Sequence, residues 1–414
     1  SHMMSARVRS PATTVDGRAV MVRRHRRWET PGMTTPLVDL LGTHIKWGTV
    51  PGAVAVLAVG DDPLEAVAVG RAAVGGAEMR PDAIMRIQSM TKAITSVSAL
   101  RLVASGRLDL DDSVEPWLPE LAERRVLVSP DAMLSDTVPA SRPITVRDLL
   151  TNTSGYGMIP VSSPLQQAMA ENGTEAGADP VAMGADEWLA RLAELPLAFQ
   201  PGQGWRYHHS FAILGILISR VTGRPTGDHL RDDLTGPLGM VDTAFWVPLD
   251  QAHRLPAAYR HTDDGLTETE PAGGGFYAGA PPFDVSHAEL VSTADDYLAF
   301  LRMLVHGGIA QTGDARGERM LPADLAAAMI RDQTPPAAKA PDSFFSPTFW
   351  DEMGWGFGVG IEATGPHAGR FTWSGGQGTN FYVDPDGTIG ILLTQVELGD
   401  PVIELIREFQ TLHG

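Results

Sequence analysis

Strand-forming segments in this chain are confined to its two ends, with helical and Pro/Gly-rich sequence between them, and that split limits the folds open to it. Near the N-terminus, Ala53 to Val59 (AVAVLAV) and Glu65 to Val69 are β-rich runs flanking Gly60-Asp61-Asp62-Pro63, which reads as a hairpin. Strand patterns return only at Trp355 to Ile361 (WGFGVGI), Phe371 to Trp373, Asn380 to Val383 and Thr388 to Thr394, the last two separated by the turn Asp384-Pro385-Asp386-Gly387. Helices are expected at 36 to 48, from Ser89 to a stop at Gly106, at 186 to 195, 210 to 222 and 227 to 234, and from about Pro401 to Leu412. No strand pattern of any length is visible between 107 and 290, and 311 to 347 reads as an irregular surface excursion. The expected class is α+β: an antiparallel sheet built from both chain ends, flanked by helices, with an inserted, mostly helical region. The expected division is an N-terminal extension at 1–32, an α/β domain in two parts at 33–106 and 291–414, and the insertion at 107–290.

With 414 residues and 43% of them hydrophobic, the chain can bury a sizeable core. Its net charge is −18, unevenly spread: residues 1 to 32 carry seven Arg and two acids. The acidic remainder disfavours nucleic acid as a partner. The Arg-rich head is read as a solvated arm, Ser1-His2-Met3 as a tag remnant, and Met33 as an alternative start. The absence of Cys excludes disulfides and a thiol nucleophile. No apolar run reaches the ~20 residues needed to span a bilayer, and the head has no secretory core, so a soluble, cytoplasmic protein without a membrane partner is expected.

Of 32 basic residues only three are lysine: Lys46, Lys92 and Lys339. What lysine offers over arginine is deprotonation, because burial can make an amine a base while guanidinium stays charged. Ser89-Met90-Thr91-Lys92 sets a hydroxyl and an amine at i and i+3, which share a helix face, so a neutral Lys92 can take the Ser89 proton. Ser89 is also placed where a helix begins, with backbone N–H groups free to hold an oxyanion. The plainer alternative is a Ser cap followed by an exposed Lys. Tyr207, before the 210–222 helix, can project into a cleft as a proton relay with a depressed pKa between cations, or serve only as an aromatic at the helix start. Trp373-Ser374-Gly375-Gly376 follows a strand, where small residues let a carbonyl approach the backbone, or merely form a bulge.

These segments, in this order, resemble the serine β-lactamase/penicillin-binding-protein superfamily, in its class C-like and class VIII esterase-like branch. The resemblance runs from about residue 36 to 412 through SMTK (89–92), ITVRDLLTNTSGY (144–156), QPGQGWRY (200–207), LVSTADDYLAFLRML (290–304) and WSGGQGTNFYVDP (373–385). It implies that Ser89 is acylated, that Lys92 is its proton partner, that Tyr207 acts in acid–base relay, and that the amides of Ser89 and Gly376 form the oxyanion hole. His209, Trp373, Ser374 and Gly375 fall at substrate-binding positions. His209 stands where the family commonly has Asn, so its titration near ~6.5 would make activity fall at acid pH; His208 is the alternative functional imidazole. Trp373 stands where many relatives carry a cation for a substrate carboxylate, which points to neutral esters or amides over penicillins. Residues 273 to 289 depart from the short Gly-rich approach expected there, and are read as lining the cleft and setting specificity.

The expected activity is a serine hydrolase acting on a small-molecule ester, amide or acyl donor, with neither cofactor nor metal, the twelve His being unclustered. The alternatives are an acyltransferase using the same acyl-enzyme, or a non-catalytic binding protein on this fold. The oligomeric state is not legible.

Overall fold

A computed structural model describes residues 35–60, 62–177 and 179–413. The expected N-terminal arm lies outside them. The first helix, α1 (Pro36–Lys46), is capped by Thr35, whose hydroxyl accepts the Val38 N–H at 3.2 Å. It buries Leu37, Leu40 and Leu41 on one stripe.

The central sheet has seven antiparallel strands: β1 (Gly52–Val59), β2 (Asp62–Gly70), β3 (Met353–Trp355), β4 (Gly360–Glu362), β5 (Phe371–Gly375), β6 (Thr379–Val383) and β7 (Thr388–Leu393). Their order is β2-β1-β7-β6-β5-β4-β3. β1 thus pairs with the last strand of the chain, from Val54 opposite Leu393 to Val59 opposite Thr388. Alternation along β1 decides what covers each face. Ala53, Ala55 and Leu57 join α1 and Val402, Leu405 and Phe409 of the C-terminal helix α5 (Asp400–Gln410) in one core. Val54, Val56 and Ala58 face the larger core, shared with helices α2 (Thr91–Ala104), α3 (His209–Thr222) and α4 (Ala294–Val305). The class is α+β, as the split of strand signals predicts. Among the described residues no helix is long and apolar enough to cross a membrane.

The region from 107 to 290 holds α-helices at Val146–Leu150, Pro164–Asn172, Ala185–Ala193 and Thr226–Leu230 besides α3. It also contains strands that the sequence reading missed. Arg125–Leu127 pairs with Thr137–Pro139, and Ala258–Thr262 pairs with Gly265–Glu270. The first pair is too short to reveal a period of two. The second is exposed or half-exposed at nearly every position of its outer strand, so its polar sequence carries no apolar alternation.

WGFGVGI, expected as one strand, is two strands joined by a turn. Gly358 has φ +81°, and a Cβ there would lie 2.1 Å from Ser96 Oγ and 2.7 Å from the Lys92 carbonyl oxygen. The turn therefore presses bare backbone onto the first turns of α2, directly behind Lys92.

Candidate active site

Ser89 lies in a short 3₁₀ turn, Gln88–Met90, that leads into α2 at Thr91. The turn is anchored on both sides. The Ile87 N–H donates to the Leu290 carbonyl at 3.1 Å, and Thr379 Oγ1 donates to the Ile87 carbonyl at 3.0 Å. Between them Gln88 is held at φ +50°, an unfavourable conformation for a side-chain-bearing residue that tertiary contacts must enforce.

Lys92, the second residue of α2, has no exposed surface, and its Nζ lies 3.2 Å from Ser89 Oγ. The Lys92 amine donates to the His287 carbonyl at 2.6 Å and lies 4.3 Å from the Tyr207 ring centre. Among the described residues no carboxylate forms an ion pair with it. Burial alone therefore drives its pKa well below the ordinary lysine value. The rare lysine is buried, beside the serine, and pushed toward its neutral form.

Tyr207 ends the loop before α3. Its hydroxyl accepts the Trp373 Nε1–H at 2.7 Å and is also hydrogen-bonded to Ser89. The expectation of a depressed tyrosine pKa is not met: burial pushes it up, outweighing both hydrogen bonds, and keeps the side chain a phenol. Trp373 lies on β5 opposite Phe381 of β6 and packs edge-on against Trp355, with ring centres 4.8 Å apart. The indole that replaces a cation thus serves as a hydrogen-bond donor to the tyrosine.

The end of β5 is brought to the serine turn by small residues. A Cβ on Gly375 would fall 2.3 Å from the Ile87 carbonyl and 2.1 Å from Thr379 Oγ1, so only glycine permits the approach. Gly376 follows on the cleft wall, its carbonyl tied to the Leu398 N–H at 3.0 Å. Ser374 also lines the cleft, with its Oγ accepting from Asn380 Nδ2 at 3.0 Å. Gly375 is buried and only supports these two.

The structure separates the two histidines. His209 turns away from the cleft: its Nε2 bonds the Thr174 carbonyl at 2.6 Å, its ring stacks near Trp188, and burial lowers its pKa to about 4. It contacts neither Lys92 nor the cleft, contrary to the substrate-binding role expected for it. His208 takes the cleft-facing place, at φ +98°, with its ring 3.6 Å centre to centre from His287. Both rings are buried and held neutral by desolvation.

Together these residues open on a cleft of about 680 Å³. Ser89, Tyr207, His208, Trp373, Ser374 and Gly376 form its chemical end; Met158, Phe344, Phe345, Phe349, Met353 and Leu398 form an apolar wall. No Lys or Arg is among the lining residues. Phe344 and Phe345 correct the reading of 311 to 347 as a mere surface excursion; the paired aromatics Phe344-Phe345 and Phe349-Trp350 in an otherwise Ala/Pro/Asp-rich stretch were the available signal. Tyr277, His287 and Glu289 place part of 273 to 289 on the cleft, as expected. Among the described residues no group of three or more His, Asp or Glu is arranged to hold a metal ion.

Comparison with known proteins adds the context. A family model described as Beta-lactamase matches residues 36–402. Protein Rv1367c of Mycobacterium tuberculosis is 35% identical over 330 residues, covering 77% of this chain and 78% of its own. Esterase EstB of Burkholderia gladioli is 32% identical over 372 residues, covering 83% and 85%. Among solved structures, "EstCE1, a hydrolase with promiscuous acyltransferase activity" superposes with a TM-score of 0.71 at 24% identity, covering 89% of this chain and 96% of that one, which speaks to the fold.

Proposed function

The chain belongs to the Beta-lactamase family and is a serine hydrolase of the carboxylesterase type; from that premise we propose that Ser89 is its nucleophile and Lys92 the base that activates it. The observation that carries the assignment is the 3.2 Å separation of Ser89 Oγ from a fully buried lysine amine without a carboxylate partner. A neutral Lys92 accepts the Ser89 proton as Oγ bonds to the ester carbonyl carbon. The amides of Ser89 and Gly376 hold the resulting oxyanion. When the carbonyl carbon releases the alcohol, its oxygen takes a proton from Tyr207, which is kept protonated by burial, and Lys92 resupplies the phenol. Water then repeats the sequence on the acyl-enzyme: it loses a proton to the tyrosine–lysine pair, the acid departs, and Ser89 regains its hydrogen.

The cleft supports esters over penicillins, because no lining cation awaits a substrate carboxylate. A second reading, acyl transfer to an alcohol or amine, is favoured by the fold shared with EstCE1 and by a cleft large enough to hold an acceptor beside the acyl group. The test is intact-protein mass spectrometry after incubation with p-nitrophenyl acetate or butyrate, with and without a small alcohol. An adduct in the wild type and none in Ser89→Ala is expected; an adduct that persists in Ser89→Ala refutes the nucleophile. Faster loss of the adduct with alcohol, yielding the new ester, identifies the transferase.

A further inference from the structure

Residues 286 to 290 run alongside the serine turn and α2, tied to them at successive positions. Thr95 Oγ1 donates to the Ser286 carbonyl at 2.9 Å, Lys92 Nζ to the His287 carbonyl at 2.6 Å, and the Leu290 N–H to Thr91 Oγ1 at 3.1 Å. Glu289 is therefore fixed on the wall of the cleft that Ser89 also lines. Its side chain is 4% exposed; Oε1 accepts the Val181 N–H at 3.0 Å, while Oε2 is buried with no partner.

Such a group is costly to bury, and its neighbours do not relieve it. The other cleft carboxylates are provided for: Glu397 pairs with Arg260 at 2.7 Å, Glu362 faces Arg370 at 3.8 Å, and Asp179 is exposed to water. Glu289 forms no ion pair among the described residues. No Lys or Arg lines the cleft, and Trp373 and Phe344 contribute aromatic rings to its wall.

We propose that this cleft selects substrates carrying a cationic amine, and that the Glu289 carboxyl receives it, giving up its own proton to solvent as the ammonium docks. The inference rests on the esterase reading for its catalytic consequence, and assigns that site a class of substrate. A buried charge-assisted hydrogen bond is worth about ten- to a hundredfold in discrimination against a neutral isostere.

The experiment compares kcat/KM for p-nitrophenyl 4-(aminomethyl)benzoate, 4-(hydroxymethyl)benzoate and 4-ethylbenzoate, and for the three matching aryl acetates, which move the amine to the alcohol side. In wild type the amine should exceed the ethyl compound about ten- to a hundredfold in at least one series, with the hydroxymethyl compound between them. Glu289→Gln should collapse that ratio, and Glu289→Asp, which keeps a carboxyl, should retain part of it. No amine preference in either series overturns the proposal, as does a preference that survives in Glu289→Gln, a hydroxymethyl compound favoured over the amine, or an equal loss for all three esters. Binding separates this inference from the catalytic one. With Ser89→Ala, 4-ethylbenzylamine should quench the cleft tryptophan at lower concentration than 4-ethylbenzyl alcohol, and the added Glu289→Gln change should erase the difference. Equal binding of the two refutes the role of Glu289 even if Ser89 is acylated; preferential amine binding sustains it even if Ser89 is not.

Discussion

Trp373→Phe isolates what an indole contributes where a cation might have stood. The exchange keeps an aromatic ring on β5 and deletes one N–H, the donor 2.7 Å from the Tyr207 hydroxyl oxygen. In the ground state that bond joins two neutral groups and is worth about 0.5–1.5 kcal/mol. As Tyr207 passes its proton to the leaving alcohol, negative charge grows on the phenol oxygen, and a hydrogen bond to charge is worth about 1.5–3 kcal/mol. Only the difference, about 1–2 kcal/mol, accelerates the reaction, which is roughly five- to thirtyfold. The loss should appear in the acylation rate with an alkyl ester such as ethyl butyrate, whose alkoxide leaving group needs that proton, read from ethanol release in a single turnover. The ring exchange also leaves a void beside Trp355, costing about 1–3 kcal/mol of stability. A double-mutant cycle with Tyr207→Phe separates the two effects. If the indole acts through the phenol, Trp373→Phe should lower acylation less than twofold once Tyr207 is gone. Full additivity, or a single-mutant loss under twofold, would refute the proton-relay reasoning.

Replacing Lys92 should divide stability from activity. Lys92→Arg should abolish acylation, since guanidinium cannot accept the serine proton, and wild-type-like burst kinetics would contradict that. Lys92→Met should be inactive yet raise Tm at neutral pH, because the folded state holds the amine below its unfolded value of ~10.4 and is penalised as pH falls through that value; the gain should shrink as pH rises toward 10. Glu289 works in the opposite direction: burial raises its pKa to about 8, so stability is full below the unfolded value of ~4.3 and is lost as pH rises to about 8. The Tm advantage of Glu289→Gln should accordingly be absent at pH 4 and largest above pH 8. His209, lowered to about 4, takes up a proton on unfolding between pH 6.5 and 4, so stability falls with pH across that window. His209→Gln retains an N–H for the Thr174 carbonyl and should remove about one proton from the slope of unfolding free energy against pH. Trp373→Lys should raise the ratio of penicillin to ester acylation while lowering ester turnover, since it adds a cation and removes the Tyr207 bond.

The sequence discloses the parts of this molecule that depend on local chemistry. Period-two runs at both ends announce the sheet, and a lone lysine three residues from a serine announces the pair that the structure brings to 3.2 Å. What stayed hidden is set by contacts between distant segments. Nothing local tells that the Gly358 turn must press on α2, so WGFGVGI reads as one strand. The resemblance favours His209 over its neighbour, and only the backbone twist at His208 sends that ring to the cleft while His209 bonds the Thr174 carbonyl. Tyr207 was expected to ionise readily because cations were imagined around it, whereas its surroundings are aromatic rings and a neutralised amine. Glu289 belongs to no motif, and its carboxyl is held out of water by ties at 286, 287 and 290 to residues nearly 200 positions away.

The pairing of β1 with β7 also bears on how the molecule comes into being. Val54 finds its partner 339 positions later, at Leu393. At about 5–20 residues per second, a ribosome leaves the β1–β2 hairpin without that neighbour for roughly 15–70 s. During that interval the apolar edge Ala53 to Val59 is open to other chains, a hazard that holding chaperones or slowed initiation would relieve. Gly376 is made nearly as late as Leu393, so the nascent Ser89 and Lys92 wait without the amide proposed to complete the oxyanion hole until about 290 further residues have been added.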